Sequence, residues 1–362
     1  MTMKFSLYLN AQTRGPHEDV PIIETLTRQA VRATTAGFAG VTLTEHHFSG
    51  YNTYGDNFML AANLAPQVPR DTMFSMAVAV PTLHNPLRLA QKCNLIDILT
   101  RGRVIVGFAP GGSPVEYAGL GRDPSTRHEA MMHNLDILER ALAKSLGDPP
   151  LAWETEFERG LLHTRIMPAG FYRAHPPFAR ATQSIEGARW TGRKGWYFFT
   201  ARETPDVLET WWNAYEYALR EHGHDETTIA DRLRWSLVQK QVYVADTDEQ
   251  AERDIRERLT LMAENQKRSF SLVSGLRDAK HLKSVVGVSP QNPDEFIERA
   301  MIIGSPETVI EQLSRYEAVG VQHMALLFNY GFMTPEVSDR SLSLFLEEVL
   351  PRVNAPTVAP TR

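Results

Sequence analysis

The sequence predicts an α/β protein, a closed (β/α)8 TIM-type barrel elaborated by insertions at its C-terminal mouth. Three observations carry that expectation. Apolar runs with strand character alternate with amphipathic helical stretches along the whole chain. The strand-like runs number eight, and repeated βα units imply a parallel sheet that can close on itself. Runs such as MAVAV (Met76–Val80) and RVIVGF (Arg103–Phe108) are apolar at successive positions, as strands buried on both faces require. A doubly wound open sheet competes with the barrel on periodicity alone.

The elements follow in order. Phe5–Leu9 reads as the first strand, and a helical stretch from about Asp19 to Ala36 ends at Gly37. Gly40–Leu43 is β-rich, and Asn57–Leu64 is helical up to Pro66. Met73–Val80 is a strand stopped by Pro81, and Pro86–Leu99 is a helix opened by proline and closed before Gly102. Arg103–Phe108 is the fourth strand, followed by an amphipathic stretch His128–Leu146. Phe178–Thr182, Trp196–Phe199 and Leu237–Val244 are strands leading into helices near Ile185–Arg193, Pro205–Glu221 and Thr247–Glu264. A helix near Pro306–Ala318, a strand Gln322–Phe328 and a helix near Ser338–Leu350 complete the pattern. Two segments stand outside it, about 148–177 and 265–300, and both are expected as mouth insertions. One domain is therefore expected over residues 1–355, with 356–362 a disordered tail.

Composition narrows the function. The 362 residues are 43% hydrophobic and 22% charged, enough for a sizeable core without a stapling disulfide. Cys93 has no partner, which excludes an intrachain disulfide and favours a reducing, cytoplasmic setting. No apolar run reaches membrane-spanning length, and Met1–Gly15 lacks a signal-peptide core. A net charge of −5 leaves no basic stripe, so neither nucleic acid nor membrane is an expected partner. A soluble enzyme acting on a small molecule is the expectation.

In such a barrel, chemistry sits where strands end. The residues there are Glu45-His46-His47-Phe48, Pro81-Thr82-Leu83-His84, Ala109 to Ser113, Gln183-Ser184 and Asn329-Tyr330-Gly331. The Glu-His-His run reads as a metal site, as a backbone-bonded structural feature, or as an acid–base histidine near neutral pKa. Adjacent residues leaving a strand diverge, which disfavours metal, and no metal is expected. His128 and His133 lack zincin spacing, and His222-Gly223-His224-Asp225 reads as a helix end. Ser184 starts a helix, where it is either an ordinary N-cap or part of an anion site. Arg127, at another helix entry, is either a solvated side chain or a forked partner for the same anion. Tyr8, Phe48, Tyr51, Phe108 and Phe328 are the aromatics expected to line an apolar substrate cavity.

These strand ends resemble the bacterial luciferase-like, flavin-dependent monooxygenase family. The resemblance rests on TEHHFSGYNTYGDNFMLAANLAPQ, VPTLHNPLRLAQKCNLIDILTRGRVIVGF, the HGHD turn and GSPETVIEQLSRYEAVGV, in that order along the chain. It implies the same barrel, a homodimer, reduced FMN delivered by a separate flavin reductase, and O2 added at the flavin C4a atom. It also implies hydroxylation, Baeyer–Villiger or aldehyde oxidation of a small, largely apolar substrate. His46 matches the family's oxygenation histidine, and Arg127 and Ser184 match residues holding the FMN phosphate. Met76-Ala77 falls where relatives carry a non-proline cis peptide beneath the flavin. Pro110 replaces a phosphate-binding arginine, Ala109 a reactive cysteine, Gln183 a glutamate and Gly187 a phosphate-contacting threonine. Luminescence is therefore not expected, and either the grip on FMN is weaker or another arginine substitutes. Three alternatives stay open: deazaflavin (F420)-dependent hydride transfer, flavin binding without turnover, and a metal hydrolase using His46, His47 and His84.

Overall fold

A parallel strand leaves its backbone groups paired only if neighbours flank it on both sides, and a ring meets that requirement without edges. The computed structural model describes residues 3–48, 50–273 and 289–353. Its strands are β1 (Lys4–Leu9), β2 (Gly40–Leu43), β3 (Met73–Ala79), β4 (Val104–Phe108), β5 (Leu151–Glu154), β6 (Arg159–Leu162), β7 (Phe178–Ala181), β8 (Tyr197–Ala201), β9 (Leu237–Val244), β10 (Met301–Gly304) and β11 (His323–Leu327). Strands β1, β2, β3, β4, β7, β8, β9 and β11 form a closed parallel barrel, with β11 pairing back onto β1. Those eight are the strands expected from the sequence.

Alternation divides each strand's side chains between two cores. Odd positions of β1 (Phe5, Leu7, Leu9) and even positions of β4 (Val104, Val106, Phe108) face the helices in the main apolar cluster. Ile105, Ala179, Tyr197, Phe199, Leu237 and Ala325 instead pack together inside the barrel. Helix entries are capped as their sequences require. Asn85 Oδ1 accepts from the N–H groups of Leu87 and Arg88 ahead of the helix Pro86–Leu99, and Asp56 accepts from Met59 N–H. Cys93 is buried on that proline-opened helix.

Two differences from expectation change the mouth. The helix Asp248–Val273 does not descend along the barrel wall. Its Ala251, Ile255, Leu259 and Met262 pack with Leu327, Tyr330 and Met333, so it lies across the strand ends. Gly331 sits under it at φ 60°, where an added Cβ would lie 2.6 Å from the Arg258 Cβ. After the helix Pro293–Ala300, β10 adds to the upper half of β9 through Met301 opposite Gln241 and Gly304 opposite Val244. The excursion on the mouth side therefore begins near residue 248, well before 265; residues 274–288 and the tail 356–362 lie outside the described residues.

The segment 148–177 enters from the end of the helix Arg127–Ala143 and leaves into the start of β7, both on the face opposite the mouth. Arg173 pairs with the fully buried Asp97 carboxylate, which also accepts from Phe171 N–H at 2.6 Å. Only its β5–β6 hairpin climbs, until Glu158 meets Arg122 at 2.9 Å. The segment is thus rooted away from the mouth because its anchors, Asp97 and Gly102, lie where the strands begin.

At that lower face His323 Nε2 bonds Ser6 Oγ at 2.6 Å inside the barrel. Burial pushes the His323 pKa down to about 4 from an ordinary 6.5. A base with a depressed folded pKa favours folding while neutral, so its contribution is present above pH 6.5 and lost as pH falls through about 4. Denaturant unfolding of the wild type should therefore show stability falling by up to about 3 kcal/mol across that window. In His323→Gln the slope between pH 4 and 6.5 should flatten; an identical slope refutes the assignment.

Candidate active site

The strand ends gather two buried carboxylates and three histidines. Glu45, two residues past β2, is 3% exposed. Its Oε1 accepts from His47 Nε2 at 2.8 Å and lies 2.9 Å from His84 Nε2, and its Oε2 accepts from Val80 N–H at 3.0 Å. Burial alone would raise the Glu45 pKa. The bonds from His47, His84 and Val80 outweigh it and hold the carboxyl at about 2. The same bond to Glu45 raises the His47 pKa. This cluster ties the β2 end to the loop after β3.

His46 turns the other way. Its Nδ1 lies 2.9 Å from Oε1 of Glu116, which is 1% exposed and also accepts from His47 N–H at 3.1 Å. Glu116 comes from the short helix Pro114–Gly119 after β4, so two strand ends meet on one carboxylate. The bond to Nδ1 leaves Nε2 as the ring nitrogen able to exchange a proton with a bound molecule. The His46 side chain is 32% exposed and meets Tyr51 edge-on at 4.8 Å, and Arg202 donates to the Tyr51 hydroxyl at 2.9 Å. His46 thus separates from His47 and His84, and among the described residues no three His, Cys, Asp or Glu side chains are arranged to hold a metal ion.

A second assembly lies across the mouth, at the ends of β4 and β7. Ser184 caps the helix Ile185–Arg193, its Oγ accepting from Gly187 N–H at 3.1 Å. Arg127 opens its own helix, with one guanidinium nitrogen donating to Pro124 O; its buried Nε has no partner among the described residues. Arg180, on β7, stacks over the Trp190 ring at 4.5 Å. The His128 pKa is lowered by burial and then by the charges of Arg127 and Arg180, which places both cations in one neighbourhood. Thr182 stands 3.3 Å from Ser184 Oγ, and a Cβ on Gly187 would lie 2.1 Å from the threonine hydroxyl. The glycine makes room for that hydroxyl. An anion is what two cations, two hydroxyls and a helix N-terminus would hold.

Several expected site residues stand elsewhere. Met76 is fully buried on the outward face of β3, and the non-proline cis bond joins Ala77 to Val78, one residue beyond the expected Met76-Ala77. Ala77 remains at the mouth, its carbonyl accepting from the Tyr8 hydroxyl at 3.1 Å. Burial pushes Tyr8 up to about 12, so it acts as a neutral donor. Phe108 packs on Phe178 and Trp196, and Phe328 on Phe345, both behind the barrel wall because strand alternation turns them outward. Phe48 is 65% exposed at φ 62° with its ring against Gly119. Gln183 donates to Ala201 O at 2.7 Å, bracing β7 to β8. Glu116, Arg180 and Thr182 were not anticipated. An acidic residue in the first turn of the helix that follows β4 is the available signal for Glu116, whereas Arg180 within β7 and Thr182 just after it carry no such signal.

The mouth of the closed barrel thus carries a histidine oriented by a buried carboxylate and, at the ends of β4 and β7, a group of cations and hydroxyls suited to an anion. Residues 3–323 match the family profile described as luciferase-like monooxygenase, and the chain belongs to that family. It is similar to limonene 1,2-monooxygenase of Rhodococcus erythropolis, at 26% identity over 93% of this chain and 81% of the relative. Its fold matches the oxygenating constituent of 3,6-diketocamphane monooxygenase of Pseudomonas putida, a type II Baeyer–Villiger enzyme in complex with FMN. That match has TM-score 0.75 at 20% identity, covering 99% of this chain and all of the other. It also matches an F420-dependent secondary alcohol dehydrogenase, TM-score 0.69 at 18% identity, over 98% and 100% of the two chains.

Replacing Glu45 by Gln removes the charge that His47 and His84 share. The His47 titration, followed by NMR, should shift to lower pH, and stability at pH 7 should drop by about 2 kcal/mol. An unmoved His47 titration refutes the pairing.

Proposed function

We propose that the protein is the oxygenating component of a two-component monooxygenase, taking reduced FMN from a separate flavin reductase and using O2 to oxygenate a small, largely apolar organic substrate. The single observation behind the choice of FMN is the anion corner, above all the buried Nε of Arg127, which has no partner among the described residues, together with the Ser184-capped helix entry. The residues present fit a phosphate. Arg180 and Thr182 supply a cation and a hydroxyl where Pro110 and Gly187 offer neither.

When bound, reduced FMN supplies the electrons that activate O2. Arg127 and Arg180 would neutralise its phosphate, and Ser184 and Thr182 would donate hydrogen bonds to it. Ala77, Ala181 and Ala201 face inward at the ends of their strands and leave space for a flat ring. In monooxygenation one oxygen atom enters the substrate and the other leaves as water, so a proton must reach the departing oxygen. His46 Nε2 is the atom for that transfer, with Glu116 orienting the ring through Nδ1. Apolar side chains of the helix Asp248–Val273 cover the mouth and exclude bulk water from the reacting centre. A homodimer in the cytoplasm belongs to the same reading. Met59, Leu95 and Leu99 offer it exposed apolar surface on the helices Asn57–Leu64 and Pro86–Leu99.

Two measurements test this. Fluorescence titration should show FMN binding more tightly than riboflavin, and Arg127→Met should weaken FMN about tenfold or more while leaving riboflavin unchanged. Turnover with reduced FMN and O2 should fall about 100-fold or more in His46→Ala with FMN affinity preserved. Unchanged product yield removes His46 from the reaction. Tight F420 binding with oxygen-independent turnover would instead establish the hydride-transfer reading, which the likeness to the F420-dependent fold keeps in view.

A further inference from the structure

The barrel mouth has two chemically unlike halves. On β3, β4, β7 and β8 the inward positions near the strand ends are Ala77, Gly107, Ala181 and Ala201, none with a hydrogen-bonding side chain. On the neighbouring strands β9, β11 and β1 the corresponding positions carry Gln241, Asn329 and Asn10.

Alternation and register aim these three amides at the same space. Tyr8 points into the barrel, since its hydroxyl reaches Ala77 O on β3, and Asn10 is the next inward position. Gln241 is the register partner of Leu327. Phe328 turns outward onto Phe345, which turns Asn329 inward beyond Leu327. All three are buried, at 4%, 1% and 3% exposure. Yet Asn10 Oδ1, Gln241 Oε1 and both amide atoms of Asn329 have no hydrogen-bond partner among the described residues, and neither has the adjacent Tyr330 hydroxyl. Their neighbours are paired. Gln12 Oε1 accepts from Gly331 N–H at 2.8 Å, Tyr54 donates to Leu9 O, and Tyr243 donates to Asp254 at 2.8 Å. Buried amides left unpaired cost the fold free energy that a bound polar group can return.

Resting on the monooxygenase reading above, we propose that this half of the mouth is a subsite for a hydroxyl group carried by an otherwise apolar substrate. A hydroxyl both donates and accepts, and the subsite offers both partners: amide oxygens of Asn10, Gln241 and Asn329 to receive, Asn329 Nδ2 and the Tyr330 hydroxyl to give. Leu259 and Met262 of the overlying helix, in one cluster with Leu327 and Tyr330, cover the apolar remainder. A bare hydrocarbon would bury the same amides without satisfying them, so the subsite selects against it.

The test is equilibrium binding to matched pairs: α-terpineol against limonene, cyclohexanol against cyclohexane, and 2-naphthol against naphthalene. Each is titrated calorimetrically into the wild type with and without oxidised FMN. The alcohol of at least one pair should bind tenfold or more tightly than its hydrocarbon. Asn329→Leu should reduce that preference below threefold by weakening the alcohol alone, with FMN affinity unchanged. Gln241→Met provides the same comparison should Asn329→Leu fail to fold. Equal affinities within every pair, no binding of any alcohol, or a preference retained in the folded variant overturns the proposal. Failure of the wild type to bind FMN would sink the flavin reading alone, because the alcohol preference is also read in FMN-free protein.

Discussion

Closure of the parallel ring from β11 onto β1 is the constraint on which the rest depends. It brings eight strand ends to one rim, so residues from remote parts of the chain become neighbours there. It also fixes which side chains look inward, because a parallel register admits no one-residue slip without exchanging the two cores. His46 after β2 and Glu116 after β4 are 70 residues apart in the chain and share a hydrogen bond because both leave the barrel at the same rim.

Two buried carboxylates then divide the histidines between different tasks. Glu45 binds His47 and His84 into a brace between the ends of β2 and β3. Glu116 leaves His46 partly open to the mouth. Histidines adjacent in sequence thus reach opposite fates through the carboxylate each one faces. Thr182 and Gly187 follow a similar logic: the threonine hydroxyl occupies the space that a side chain at 187 would have taken.

Much of the fold was legible because periodicity reports burial directly. All eight barrel strands and most wall helices were readable, and Gly, Pro, Asn and Ser punctuated them as capping physics requires. The helix after β9 was readable as a helix, but its position was not. An amphipathic face packs equally well on a barrel wall or over its mouth, and only Leu327, Tyr330 and Met333 decide between them. For the proposed site, His46, Arg127 and Ser184 stand out in the sequence by their places at a strand end and two helix starts, and their roles rest on the family resemblance. Phe108 and Phe328 were misplaced by proximity in sequence, since one step along a strand reverses a side chain's direction.

Periodicity and local residue pattern carry the parallel barrel, the reactive residues at its strand ends and the family they resemble, because those properties are local. Only the folded chain brings Glu116 to His46, sets Thr182 beside Ser184 and Arg180 near His128, and buries side-chain oxygens of Asn10, Gln241 and Asn329 with no partner among the described residues. Such pairings depend on which strands become neighbours when the ring closes, and no local spacing encodes that distance.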